Sequence, residues 1–263
     1  MTELFGLSPL QRKNAILEML SREDEVRVAD LADKSRITPD TVRSDLTEME
    51  EDGLLRRIHG GAAGTRKSYF SMSIDDRMKV NREEKIRIAK ACAEMIKDGD
   101  TLMIDSGTTT RYLARELAER SSLTVVTNAV QIAEEFVFNN SVNVILLGGN
   151  LNLQYQFTYG NDTVTQLQKY RADKMIITVD GISARHGLAT YHSLEADVSR
   201  QMIERANTVI VVADHSKIGK EGFSYIAPLE SINKLVTDRD ERNRLELDEI
   251  RKAGIAVTET DRI

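Results

Sequence analysis

The sequence predicts an α/β chain in two parts, a small helical unit at the N-terminus and then a doubly wound, mostly parallel sheet. Three observations predict it. Residues 9 to 60 place apolar side chains at helical spacing and end in a short alternating run closed by two glycines. The stretch from Ala62 to Ile74 is small and polar with little period, as in a linker. Beyond residue 81, Val- and Ile-rich runs of strand length alternate with runs of helical length, the pattern of a parallel sheet covered by helices. The expected boundaries are 1–61, a linker over 62–80, and 81–263.

In the first unit, Leu10, Ile16, Leu17 and Leu20 fit one face of a first helix. Val26 and Val28 flank Arg27 in a short extended piece, and Ala29, Leu31 and Ala32 belong to a second helix. Thr38-Pro39-Asp40 starts a third: Thr38 caps, Pro39 suits the first helical position and Asp40 complements the dipole. Val42, Leu46 and Met49 point inward, and Gly53 stops the helix. Leu54 to Gly61 then reads as a β-ribbon wing. Helix, turn, capped helix and basic wing together make a winged helix-turn-helix, whose third helix enters the major groove of double-stranded DNA. Thr41, Arg43 and Ser44, near its start and off the apolar face, are the base-edge candidates, and Arg56, Arg57 and His59 the phosphate candidates. The acidic run Glu48 to Asp52 keeps open the alternative of a three-helix module that binds protein.

In the second unit, Asn81 to Lys97 reads as a helix with Ile86, Ala89, Ala93 and Ile96 on one stripe. Strands are expected at Thr101–Ile104, Leu123–Thr127, Val142–Leu147, Lys174–Val179, Thr208–Ala213 and Leu235–Thr237. Helices are expected at Arg111–Ala118, Ala129–Phe138, Asp162–Tyr170, Glu195–Ala206 and Arg242–Ala253. Between the first strand and its helix lies Asp105-Ser106-Gly107-Thr108-Thr109-Thr110. The N–H groups of a helix start favour an anion, Gly107 lets the backbone come close, and the hydroxyls add donors. A plain helix cap would need one hydroxyl, and this loop has four. The other strands end in Thr127-Asn128, Gly148-Gly149, Asp180-Gly181 and Asp214-His215-Ser216-Lys217. In a parallel sheet all these ends share one edge, where such folds bind ligands. A phosphate would sit on Ser106 to Thr110, Asn128, Asp180 and Glu195 would bond hydroxyls, and Lys217 would neutralise an anionic oxygen.

Composition narrows the classes. At 41% hydrophobic and 30% charged residues the chain is an ordinary globular one. No signal peptide is visible and the apolar runs are too short for a membrane span, so a cytoplasmic protein is expected. The lone Cys92 allows no internal disulfide, and the four histidines form no metal motif, so neither metal nor cofactor is expected. A net charge of −6 argues against non-specific nucleic-acid binding by the whole surface, but Arg56, Arg57, Arg66 and Lys67 form a local basic run.

These motifs resemble those of the DeoR family of transcriptional regulators. The resemblance runs from Arg12 through Thr41–Leu46 and the wing Arg57-Ile58-His59-Gly60-Gly61-Ala62, then through Glu84-Lys85-Ile86, Asp105–Thr110 and the later strand ends. It implies a DNA-binding repressor whose C-terminal domain binds a phosphorylated sugar or sugar-pathway intermediate; because paired modules match repeated half-sites, a homo-oligomer on operator DNA is expected. Two positions depart from the family's pattern: Ser44 replaces the second of two adjacent arginines, and Asn161 rather than proline follows Gly160. The C-terminal domain also resembles ribose-5-phosphate isomerase, which raises the rival reading of an enzyme. The isomerase's second carboxylate has no counterpart in Ile182-Ser183-Ala184, so no catalytic residue is assigned.

Overall fold

A computed structural model describes residues 6–23, 25–51, 54–64 and 73–261. The chain divides into two compact units, Met1–Asn81 and Arg82–Ile263. In the first, α1 (Pro9–Arg22) opens on a capping box: Ser8 accepts from the Gln11 N–H while the Gln11 side chain accepts from the Ser8 N–H. The chain continues through β1 (Glu25–Arg27), α2 (Val28–Ser35) and α3 (Pro39–Glu51). Arg36 takes a left-handed conformation, φ 53°, to end α2. Ile16, Leu17, Leu20, Leu31, Val42, Leu46, Met49 and Leu55 form the core. Inside it Arg12 grips Asp45 with two hydrogen bonds, 2.5 and 3.0 Å, and so joins α1 to α3.

The ribbon is β2 (Leu55–Ile58) and β3 (Gly61–Gly64), joined at His59-Gly60. β3 also pairs with β1, so it is the middle strand of an antiparallel three-stranded sheet. Its Gly-Ala-Ala-Gly sequence follows from crowding: a Cβ on Gly61 would stand 2.0 Å from the Val26 carbonyl oxygen. The small residues from Ala62 on, read from sequence as linker, therefore begin inside a strand. Helix α4 (Ile74–Lys79) lies in the same stretch, capped by Ser73 and touching α1. Its six residues are too few to show a period. The expected stop at Gly53 and the basic residues Arg66 and Lys67 lie outside the described residues.

The second unit is built on seven strands: β4 (Thr101–Ile104), β5 (Leu123–Thr127), β6 (Val142–Leu146), β9 (Ala172–Ile177), β12 (Ala206–Val212), β14 (Lys234–Asp238) and β15 (Ala256–Thr260). All pair in parallel, in the order β15-β14-β12-β9-β4-β5-β6. The chain starts in the middle at β4, winds outward to β6 and returns to β9 on the other side. The topological switch point thus falls between β4 and β9, and the crevice beyond their carboxyl ends is where such sheets bind ligands. A hairpin, β7 (Asn150–Asn152) with β8 (Phe157–Tyr159), and a small antiparallel sheet of β10 (Gly181–Ser183), β11 (Gly187–Thr190) and β13 (Ser224–Ala227) grow from the same side of the strands.

The helices are α5 (Arg82–Ala93), α6 (Thr108–Leu117), α7 (Val130–Glu134), α8 (Asn161–Leu167), α9 (Ser193–Ile203) and α10 (Arg244–Lys252). Most are shorter than the sequence periodicity predicts, because apolar residues of the flanking turns continue the buried stripe. On α5 the stripe is also displaced. Ile88, Ala89, Cys92 and Ala93 are buried with Lys85, and Ile86 is only half-buried. A fully buried lysine is invisible to a search for apolar spacing. Cys92 packs as a small apolar residue, and burial pushes its thiol up to about 12. Among the described residues no helix is long and apolar enough to cross a membrane.

Candidate functional site

The candidate DNA surface lies on α3 and the ribbon. Thr38 receives the Thr41 N–H at 3.2 Å and bonds the Thr41 hydroxyl, fixing the helix start. Thr41, Arg43 and Ser44 are exposed together there, as Val42, Asp45, Leu46 and Met49 take the inner face. Arg43 lies along its own helix, 2.5 Å from Asp40, an exposed pair that costs little to open. Arg56 and His59 are exposed on the ribbon. Arg57 does a second job: its N–H donates to Glu50 (2.7 Å) and its guanidinium to Thr47 (2.9 Å), tying the ribbon to α3.

The other cluster gathers at the switch point of the sheet. Asp105 leaves β4 and turns its carboxylate to β9, accepting from the Thr178 N–H at 3.1 and 3.0 Å. Gly107 must be glycine for space, not for backbone angle: a Cβ would lie 2.3 Å from Thr178 Oγ1. The α6 N-terminus that follows has no side-chain cap, so its first N–H groups face the crevice. The four hydroxyls divide the work. Ser106 donates to Glu195 (2.8 Å), and Thr110 to the Asp105 and Gly107 carbonyls (both 3.1 Å). The Thr108 and Thr109 hydroxyls make no hydrogen bond among the described residues.

Three carboxylates meet beside this loop. Thr190 donates to Asp180 (3.0 Å) and bonds Glu195 (2.8 Å) through the same hydroxyl oxygen, and the Tyr191 N–H also donates to Asp180. Burial, and then the charge of Glu195, push the Asp105 carboxyl well above the usual range despite the Thr178 hydrogen bonds. Thr178 and Thr190 were not found by sequence reasoning. A single threonine just past the end of β9 or inside β11 carries no distinguishing signal, although Thr190 stands five residues before Glu195.

At the neighbouring strand ends, Thr127 accepts the Ala129 N–H (3.1 Å) and Asn128 donates to the Thr158 carbonyl (2.9 Å). Gly148 donates to Gln166 and accepts from Thr163, and a Cβ on Gly149 (φ +144°) would meet Thr163 Oγ1 at 2.1 Å. Gly181 opens β10 where a Cβ would collide with the Lys220 carbonyl at 2.4 Å. Beyond β12, Asp214 accepts from the Ser216 N–H and hydroxyl. Burial would raise its pKa, but Lys217, Lys85 and Ser216 together hold it down at about 2. The structure thus joins Asp105, Ser106, Asp180 and Glu195 in one network, Asn128, Gly148 and Gly149 around the β7–β8 hairpin, and Lys217 with Asp214. Among the described residues no group of His, Cys, Asp and Glu could hold a metal ion.

Residues 12–67 match the DeoR-like helix-turn-helix domain and residues 80–239 the DeoR C terminal sensor domain. This chain belongs to the DeoR family. It is similar to the transcriptional repressor GlcR of Bacillus subtilis, 34% identical, over 87% of this chain and 88% of that one. It is similar also to the glycerol-3-phosphate regulon repressor of Escherichia coli, 33% identical, over 87% and 90%. Ribose 5-phosphate isomerase A of Methanocaldococcus jannaschii covers 52% of this chain and 54% of its own at a TM-score of 0.39 and 17% identity. Membership in a family of DNA-binding regulators decides between the regulator and the enzyme: the chain is a transcriptional regulator of the DeoR type.

Proposed function

We propose that the chain is a cytoplasmic, homo-oligomeric repressor of a carbohydrate operon, released or engaged by a phosphorylated sugar. One observation carries the ligand: an uncapped, hydroxyl-rich helix start at the topological switch point, beside the carboxylates of Asp180 and Glu195. In this reading the phosphate sits on the N–H groups at Ser106 to Thr110 and on the Thr108 and Thr109 hydroxyls. Lys217 offsets its charge. Asp180 and Glu195, as acceptors, take sugar hydroxyls. A raised Asp105 pKa lowers the negative charge near the phosphate. Asp105, Thr110 and Thr127 act by holding the loops, and Gly107, Gly148, Gly149 and Gly181 by clearing space. Thr41, Arg43 and Ser44 read base edges, and Arg56, Arg57 and His59 hold DNA phosphates, with dimeric pairing of modules matching repeated half-sites.

The test is a thermal-shift panel of sugar phosphates, each beside its free sugar. A ligand at about 100 times its Kd adds roughly 2.7 kcal/mol of stability. Stabilisation by one phosphorylated compound and not by its free sugar supports the reading, and a broad panel without any shift refutes it.

A further inference from the structure

Three buried amide atoms at the end of β5 have no hydrogen-bond partner among the described residues. Gln131 is 0% exposed, and neither its Nε2 nor its Oε1 meets a hydrogen-bonding group among the described residues. Asn128, 2% exposed, commits Nδ2 to the Thr158 carbonyl and leaves Oδ1 unmatched. That bond also fixes the amide's orientation, because a flip would set Oδ1 against the Thr158 oxygen. Buried polar groups are nearly always paired, with protein, ordered water or a ligand, so three atoms within four residues of chain that no protein group meets call for a polar partner from outside the chain.

Their position says where. Thr127 is in register with Ile104, so Asn128 and Asp105 leave adjacent strands side by side. α7, which carries Gln131 as its second residue, packs against α6, which carries Thr109 as its second. Ala129, between the two amides, pairs with Phe157 of the hairpin. The amides thus border the hydroxyl-rich loop on the β5 side, away from Glu195.

Their chemistry says what. Two acceptors and one amide donor do not suit the phosphate of a sugar phosphomonoester, which at neutral pH is largely the dianion and offers acceptors only. They suit hydroxyls, which both donate and accept. We infer that Gln131 and Asn128 read two hydroxyl groups on the carbon chain of a phosphorylated sugar or polyol, and so set which one this regulator answers. The inference rests on the sugar-phosphate reading above. A ligand lacking either hydroxyl would leave the acceptors unpaired, which is how such sites reject analogues.

The experiment is calorimetric titration of the full chain with inorganic phosphate, glucose 6-phosphate, fructose 6-phosphate and ribose 5-phosphate, followed by the monodeoxy analogues of the tightest binder. At least one analogue should bind tenfold or more weakly to the unaltered protein. Gln131→Met keeps the shape and removes the unmatched amide. It should bind the parent sugar phosphate at least tenfold more weakly, with inorganic phosphate within about twofold and a ligand-free Tm no lower than before. If no deoxy analogue loses more than twofold, or if Gln131→Met weakens phosphate and sugar phosphate equally, the inference is overturned and the sugar-phosphate reading stands. If no sugar phosphate of the broad thermal-shift panel binds the unaltered chain, both fall.

Discussion

Breaking the Arg12–Asp45 pair should loosen the recognition helix by a measurable and calculable amount. The side chains are 10% and 7% exposed, and the guanidinium holds both carboxylate oxygens. Removing one member of a buried pair costs about 3–5 kcal/mol, chiefly because the survivor stays charged and unpaired. The pair is not wholly dry, so the low end, about 3 kcal/mol, is expected for Asp45→Ala. For a unit of this size that is a fall of roughly 12–24 °C in its Tm. The chain has two units, so a single melting curve mixes them, and hydrogen exchange at α1 and α3 amides reads the right one. Exchange governed by unfolding of the unit should quicken about a hundredfold in α3 and stay unchanged in the sheet strands. Arg12→Met with Asp45→Leu, which removes both charges and keeps the volume, should return within about 1 kcal/mol of the original. Exchange in Asp45→Ala within fivefold of the unaltered chain would show that the pair does not hold α1 to α3.

Three further outcomes are expected. Arg43→Ala should weaken operator binding about tenfold in a gel-shift titration and leave sugar-phosphate binding alone, whereas Lys217→Ala should do the reverse; unchanged operator affinity in Arg43→Ala would misplace the DNA surface. Gly107→Ala forces a Cβ to within 2.3 Å of Thr178 Oγ1 and should cost about 1–3 kcal/mol in urea unfolding of the sheet unit, with Thr178→Ala in the same chain restoring part of the loss. His215, hydrogen-bonded at 2.7 Å to Asp238, has its pKa raised above the ordinary 6.5 by that bond first and despite burial. Its contribution to stability is therefore full below about pH 6.5 and lost as pH rises through the raised value, so the sheet unit's Tm should decline over that window; an equal decline in Asp238→Asn would disprove the linkage.

The sequence made the architecture plain where chemistry and spacing coincide. Pro39 after Thr38 marks α3, Gly60-Gly61 marks the ribbon, and the polar residue ending each Val-rich run marks the carboxyl edge of the sheet. It was silent where a residue departs from its type's habit. Lys85 is charged and buried, so apolar spacing alone points to Ile86 for the α5 stripe. Gln131 is polar and buried on a helix of five residues, too short for any period. Thr110 and Ser106 look alike in a run of hydroxyls, yet one braces the loop's own carbonyls and the other reaches Glu195. Only the fold separates those tasks.

The middle position of β3 bears on how the DNA-binding part can be cut out and transplanted. A fragment ending at Gly61 keeps α1 to α3 and the first ribbon strand but discards the strand that joins β2 to β1. Two strand edges would then be bare, and Val26 and Leu55 would lose the backbone between them. A graft onto another sensor must carry the chain at least through Gly64, and through Lys79 to keep the helix that touches α1.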